Sequence, residues 1–255
     1  MGRMSLARFT AGMLSLAALT PQNTCAQAEQ METNPVGGPG QPITVEIWSD
    51  VVCPFCYIGK RELENALARF EQRDSVRVVW KSFELDPDAP DERGVDTYRM
   101  LMEKYGMTRE QVLERTRSVR ERAASLGLNY HFDKAIVGSS FQAHRLLQFA
   151  KSKGLGGAAK ERLFKAYFTE GKHLANPTTL AALGVEIGLP AAEVSALLRS
   201  DAFSREVRAD EQEACQLRVT GVPFFAFDRR LSVSGAQSEE TFLEALRQVW
   251  TSRGT

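Results

Sequence analysis

A chain of 255 residues, with 43% hydrophobic and 25% charged side chains, can bury a sizeable core in one domain or two small ones. Its 32 basic side chains balance 32 acidic ones, so no net field draws it to nucleic acid or to an anionic membrane surface. Small molecules or proteins are the better partners.

The chain opens with Arg3 and Arg8 ahead of an apolar run over 11–19, and Ala26-Gln27-Ala28 supplies small residues where a signal peptidase would cut. This pattern predicts a secretory signal peptide over 1–28 and a periplasmic or otherwise exported protein, with a cytoplasmic extension as the alternative. The run is shorter than the ~20 apolar residues of a membrane span, and no later segment is long and uncharged enough, so the mature chain is expected to have none. Cleavage would remove Cys25 and leave Cys53, Cys56 and Cys215. Three cysteines make no disulfide scaffold, and one close pair plus one extra points to catalytic thiols. Gln22-Asn23-Thr24 lacks the character of a lipoprotein cleavage site, which argues against a lipid anchor.

Residues 29–42 are polar and rich in Gly and Pro, a flexible linker. An extended apolar run over 43–52 predicts the first strand; it leads into Cys53-Pro54-Phe55-Cys56, after which Leu63, Ala66, Leu67 and Phe70 recur at helical spacing. Residues 76–85 read as a second strand, stopped by Asp86-Pro87 and Pro90. From 96 to 217 the pattern is helical, with Thr108 and Gln111 as a capping box, Ser139 or Ser140 as a cap, Asn176-Pro177 as a helix start and Asp201 opening the last helix. Strands over 224–227 and 231–233 and an amphipathic helix using Phe242, Leu243, Leu246, Val249 and Trp250 close the chain.

Without the helical block the order is β-α-β followed by β-β-α, which is the thioredoxin arrangement. The expected fold is therefore α/β: a thioredoxin-like domain over 43–95 and 218–255, with a large all-helical insertion over 96–217 between the second and third strands. Two thiols three residues apart at a helix start can close and reopen a small disulfide. The first faces unsatisfied N–H groups and the positive end of the helix dipole, which favour thiolate. Cys53 is the candidate nucleophile and Cys56 the resolving thiol. In this arrangement the loop Thr220-Gly221-Val222-Pro223-Phe224 faces the cysteine pair; Pro223 is read as a cis proline, holding the Val222 backbone where an extended substrate segment can pair with it.

Several separated motifs carry a specific resemblance: Trp48 to Lys60 around the cysteines, Phe83-Glu-Leu-Asp-Pro87, Ser140-Phe-Gln-Ala-His-Arg145, Gly221-Val-Pro-Phe-Phe225 and Ser234-Gly-Ala-Gln237. Together, over about 43–250, they resemble the DsbA family of thiol-disulfide oxidoreductases and, within it, the FrnE-like branch. The resemblance implies a thioredoxin fold with a helical insertion, Cys53 as attacking thiol, Cys56 as resolving thiol and Pro223 as the cis proline. Two positions depart from the branch pattern: Phe55 stands where Trp is usual, and Ser139-Ser140 where Asn-Thr is frequent.

Other residues are read more plainly. Tetrahedral zinc needs two further ligands beyond a Cys pair, and Cys215, His131, His144 and His173 form no second close pair, so no metal is expected. Cys215 reads as a small buried apolar residue, His144 as a packed or surface residue, and Asp50 and Lys60 as solvated groups. Glu46, if it faces inward, could shuttle a proton to Cys56. Among the aromatics that could line an apolar rim, Phe55, between the thiols, is the one expected to be exposed.

The reading is a protein thiol-disulfide oxidoreductase working by dithiol-disulfide exchange, as oxidase or isomerase, with Phe55 and Val222 contacting substrate. Its partners are thiol- or disulfide-containing proteins and a redox partner protein or glutathione; no organic cofactor is needed. Two rivals are a glutathione-dependent isomerase or transferase of the hydroxychromene carboxylate or kappa type, which typically carries serine at the position of Cys53, and a redox-inactive chaperone.

Overall fold

The computed structural model describes residues 40–89 and 94–253. The proposed signal peptide, and the linker up to residue 39, lie outside the described residues. Four strands form one sheet in the order β2-β1-β3-β4: β1 (Ile43–Ser49), β2 (Val76–Ser82), β3 (Phe224–Phe227) and β4 (Leu231–Ser234). β1 runs parallel to β2 and antiparallel to β3, with Trp48 opposite Phe224 and Ile47 opposite Phe225. Every residue of β1 is buried, because helices cover both faces of the sheet and its apolar side chains serve both.

Helix α1 (Pro54–Arg69) makes the crossover from β1 to β2. Seven helices then precede β3: α2 (Thr97–Tyr105), α3 (Arg109–Ser125), α4 (Phe141–Ser152), α5 (Gly156–Phe168), α6 (Pro177–Glu186), α7 (Ala191–Leu198) and α8 (Ser204–Gln216). After β4 the chain ends in α9 (Glu239–Ser252). This is the thioredoxin fold with an all-helical insertion between the second and third strands.

α1 and α9 enclose one core built on Val45, Ile47, Leu63, Phe225, Phe242 and Leu246. On the opposite face Trp48, Phe83, Ala214, Val219 and Ala226 pack under α8. A third and larger cluster fills the insertion and reaches both cysteines. In it the Tyr57 ring stacks on Phe164 with centroids 4.7 Å apart, tying α1 to α5.

The helix starts follow local chemistry. Thr108 and Gln111 close both halves of the capping box, and Asn176 accepts from the N–H groups of Thr178 and Thr179. The two serines share the start of α4: Ser140 takes the N-cap position without a side-chain bond, while Ser139 Oγ accepts from Phe141 N at 3.2 Å. One expectation fails. Asp201 does not cap α8, which starts at Ser204 after Phe203 takes a left-handed conformation.

The β3–β4 turn is made by Asp228 and Arg229, both at positive φ and neither a glycine. Tertiary contacts hold it: Asp228 accepts from Thr44 N at 2.8 Å and from Arg253 Nε at 2.6 Å, while Arg229 grips both carboxylate oxygens of Glu46 at 2.5 and 2.7 Å.

Candidate active site

β1 ends one turn before α1, and the link Asp50–Cys53 is a tight one in which Cys53 N donates to Asp50 O at 3.2 Å. Cys53 is the N-cap of α1 in extended conformation, without a side-chain cap bond, and Pro54 takes the first helical position, where a missing N–H costs nothing. Cys56 N donates back to Cys53 O at 3.1 Å. Both thiols are free and almost fully buried, with exposures of 3% for Cys53 and 1% for Cys56.

The loop before β3 meets them. Cys53 Sγ lies 3.5 Å from Val222 O as its donor, and the Val222–Pro223 bond is cis. Gly235 N donates to Pro223 O at 2.8 Å and pins the loop from the β4 side. Gly59 lets α1 come this close: a Cβ there would sit 3.2 Å from Pro223 Cγ and 3.1 Å from Phe225 Cζ. Phe55, Val222 and Phe224 are half-buried around this junction, whereas Tyr57 and Phe225 belong to the core.

The electrostatics differ from the helix-dipole expectation. Burial pushes the Cys53 thiol well up, and the neighbouring Cys56 adds to it; the Cys56 N–H is the opposing influence. Reduced Cys53 is therefore held as a thiol until a proton is removed.

Asp50 and Lys60 are buried, not solvated. Asp50 Oδ1 lies 3.3 Å from His144 Nε2 on α4, and Asp50 Oδ2 accepts from Leu85 N at 2.7 Å, so the carboxylate joins the motif loop to α4 and to the end of β2. Lys60 donates to Glu64 and Glu161, both at 2.5 Å, linking α1 to α5. Glu46 lies on the α8 side of the sheet as the anchor of Arg229, with Lys81 3.9 Å away, and is not aimed at Cys56. Cys215 is half-buried on α8, so it is not the buried apolar core residue that the sequence led one to expect. Tyr130 Oη, which donates to Pro54 O at 2.8 Å, and the buried Lys160 were not singled out in the sequence. Among the described residues no cluster of three or more His, Cys, Asp or Glu is placed to hold a metal ion.

A free dithiol at a helix start, facing a cis-proline loop, matches a known protein family: residues 44–247 fit the model of the DSBA-like thioredoxin domain. The chain belongs to that family. This DSBA-like protein is 44% identical to a probable DsbA oxidoreductase of Streptomyces coelicolor, with a TM-score of 0.79 over 82% of this chain and 90% of that one. More distant structures share the fold: a 2-hydroxychromene-2-carboxylate isomerase at 14% identity and TM-score 0.59 (83% of this chain, 98% of that one); and the cytosolic disulfide reductase DsbM of Pseudomonas aeruginosa at 18% and 0.56 (82% and 98%). An uncharacterised Bacillus subtilis protein, YwbO, is 25% identical over 209 residues, 80% of this chain and 96% of its own. No helix among the described residues is long and apolar enough to cross a membrane.

Proposed function

We propose that the chain exchanges disulfides with protein substrates through Cys53 and Cys56, as an oxidase or isomerase. The observation that carries this is the pair of free thiols at the head of α1, with Cys53 Sγ against the Val222 carbonyl. The 44% identity to a probable DsbA oxidoreductase supports it. The Cys53 sulfur forms a mixed disulfide with a substrate sulfur, and Cys56 or a second substrate thiol resolves it. Val222 offers its backbone to an extended substrate segment beside Pro223, and Phe55 offers apolar contact. The exchange needs no organic cofactor; a redox protein or glutathione resets the pair, and the N-terminal pattern suggests an exported site of action.

The test is trapping. Cys56→Ser should accumulate a substrate disulfide on Cys53 that mass spectrometry locates, and Cys53→Ser should abolish exchange. Exchange at undiminished rate by Cys53→Ser would refute the assignment. Turnover of a glutathione-dependent isomerase substrate by the variant lacking both thiols would favour the rival enzyme class.

A further inference from the structure

Arg122 belongs to the helical insertion, half-buried on α3, yet its side chain reaches back to the thioredoxin domain. One terminal nitrogen, Nη2, donates to Ala236 O at 2.5 Å, to Glu62 Oε1 at 3.2 Å and to Gln237 O at 3.3 Å. Glu62, on α1, accepts through its other oxygen from Glu239 N at the head of α9, at 3.0 Å. Three helices from different parts of the chain thus meet at this guanidinium, and the short bond to Ala236 is of the charge-assisted kind that holds geometry well.

The two carbonyls that Arg122 holds lie in the turn over 234–237, between β4 and α9. Inside the turn Gln237 N donates to Gly235 O at 3.0 Å and Gln237 Nε2 to Ser234 O at 2.8 Å, with Gly235 at a φ of 78° that favours glycine. Gly235 N is left for the neighbouring loop, where it donates to Pro223 O at 2.8 Å. Helix α1 backs both pieces: a Cβ on Gly59 would stand 3.2 Å from Pro223 Cγ and 3.5 Å from Ala236 Cα. The cis-proline loop therefore rests against the 234–237 turn, and the turn is clamped from outside by Arg122.

We propose that Arg122 is a positioning residue for substrate: by fixing the 234–237 turn it holds Pro223, and with it the Val222 backbone, in the orientation that an extended substrate segment pairs with. The inference rests on the exchange reading above and brings a residue of the insertion to the substrate side of the site. The bonds of Arg122 go to two carbonyls and a carboxylate and none to a sulfur, so it acts on binding and not on the sulfur chemistry. Without the clamp the turn and the loop sample other positions, and a substrate has to order them as it binds. That cost falls equally on the bound substrate and on the transition state, so it raises KM and leaves kcat in place. A small disulfide reagent, which makes no strand pairing, does not meet it.

The experiment measures KM and kcat of the full chain for oxidation of reduced, unfolded ribonuclease A in glutathione buffer. Beside it runs the rate at which the reduced chain reacts with 5,5′-dithiobis-(2-nitrobenzoate). Arg122→Met keeps an apolar stem and removes the donors. It should raise KM roughly tenfold, the worth of one charge-assisted bond at a half-exposed site, with kcat and the reagent rate within about twofold of wild type. Arg122→Lys, which keeps a cationic donor on a long stem, should bring KM back to within about threefold. An unchanged KM in Arg122→Met overturns the proposal, and so does an equal fall in kcat and in the reagent rate, the mark of a merely structural loss. If Arg122→Met does not fold, Arg122→Lys against Arg122→Gln decides: a KM about fivefold lower with lysine supports the proposal, and equal values overturn it. Absence of turnover by the wild-type protein would instead remove the exchange reading, and the inference with it.

Discussion

The Asp50 carboxylate and the His144 ring meet 3.3 Å apart with neither side chain exposed to solvent. This pair joins the loop that carries Cys53 to the first turn of α4, so the placing of the thiol depends on a residue 94 positions from Asp50. Burial alone would raise the Asp50 carboxyl, but His144 and the N–H groups of Leu85 and Val52 outweigh it and hold it below the usual range. A lowered folded-state pKa means that this stability is complete above the unfolded value of about 3.9 and is lost as pH falls through the folded value. Asp50→Ala should cost about 3–5 kcal/mol in urea unfolding at pH 7, as expected for breaking a buried pair, and should flatten the stability profile below pH 4. An unchanged acid limb would count against the pairing.

Glu84, beside that loop, behaves oppositely. Burial, then the nearby Glu211, push its carboxyl up to about 8, although Arg208 Nη1 donates to Glu84 Oε2 at 2.6 Å; its Oε1 has no partner. A raised carboxyl favours folding below the unfolded value of about 4.3 and withdraws that contribution as pH climbs toward 8. Over that window Glu84 should make stability fall by up to about 1.4 kcal/mol per pH unit. Glu84→Gln should remove that part of the slope and be relatively more stable at pH 8; urea midpoints at pH 5 and 8 test it, and parallel shifts in the two proteins would contradict it.

Much of this arrangement is legible in the chain. The order of strands and helices, the Cys-x-x-Cys at a helix start and the proline before β3 are local signals, and turn and cap chemistry marks most boundaries. The misreadings share one cause, which is that burial is decided by elements distant in sequence. Asp50 and Lys60 read as solvated because their partners His144 and Glu161 lie on α4 and α5. Glu46 sits on a strand buried on both faces, where period-two alternation cannot say which side a carboxylate takes. Lys160 does leave a trace: with Leu163, Phe164, Tyr167 and Phe168 it occupies the apolar stripe of α5, a place where a lysine is out of keeping.

Glu46 should matter for stability and not for exchange. Glu46→Ala removes two of the bonds that hold Arg229 and leaves its pairing with Glu213, in a turn that already carries two non-glycine residues at positive φ, and should cost roughly 1–3 kcal/mol. The pH profile of thiol exchange should stay as in the wild-type protein. A shifted profile would return Glu46 to the proton path.

Phe55 should discriminate substrates by size. Phe55→Ala should slow exchange with an unfolded disulfide-bearing protein by roughly tenfold, about the worth of one partly buried aromatic contact, and leave a small disulfide such as oxidised glutathione nearly unaffected. Equal losses on both would mean that Phe55 supports the cysteine loop rather than the substrate.

The most direct measurement of the central claim is the equilibrium reduction potential of the Cys53–Cys56 pair in glutathione buffers, followed by mass spectrometry of alkylated thiols. The account predicts a reversible two-electron transition between about −120 and −180 mV, the range of protein oxidases and isomerases. A pair that forms no reversible disulfide anywhere in the accessible range would contradict it.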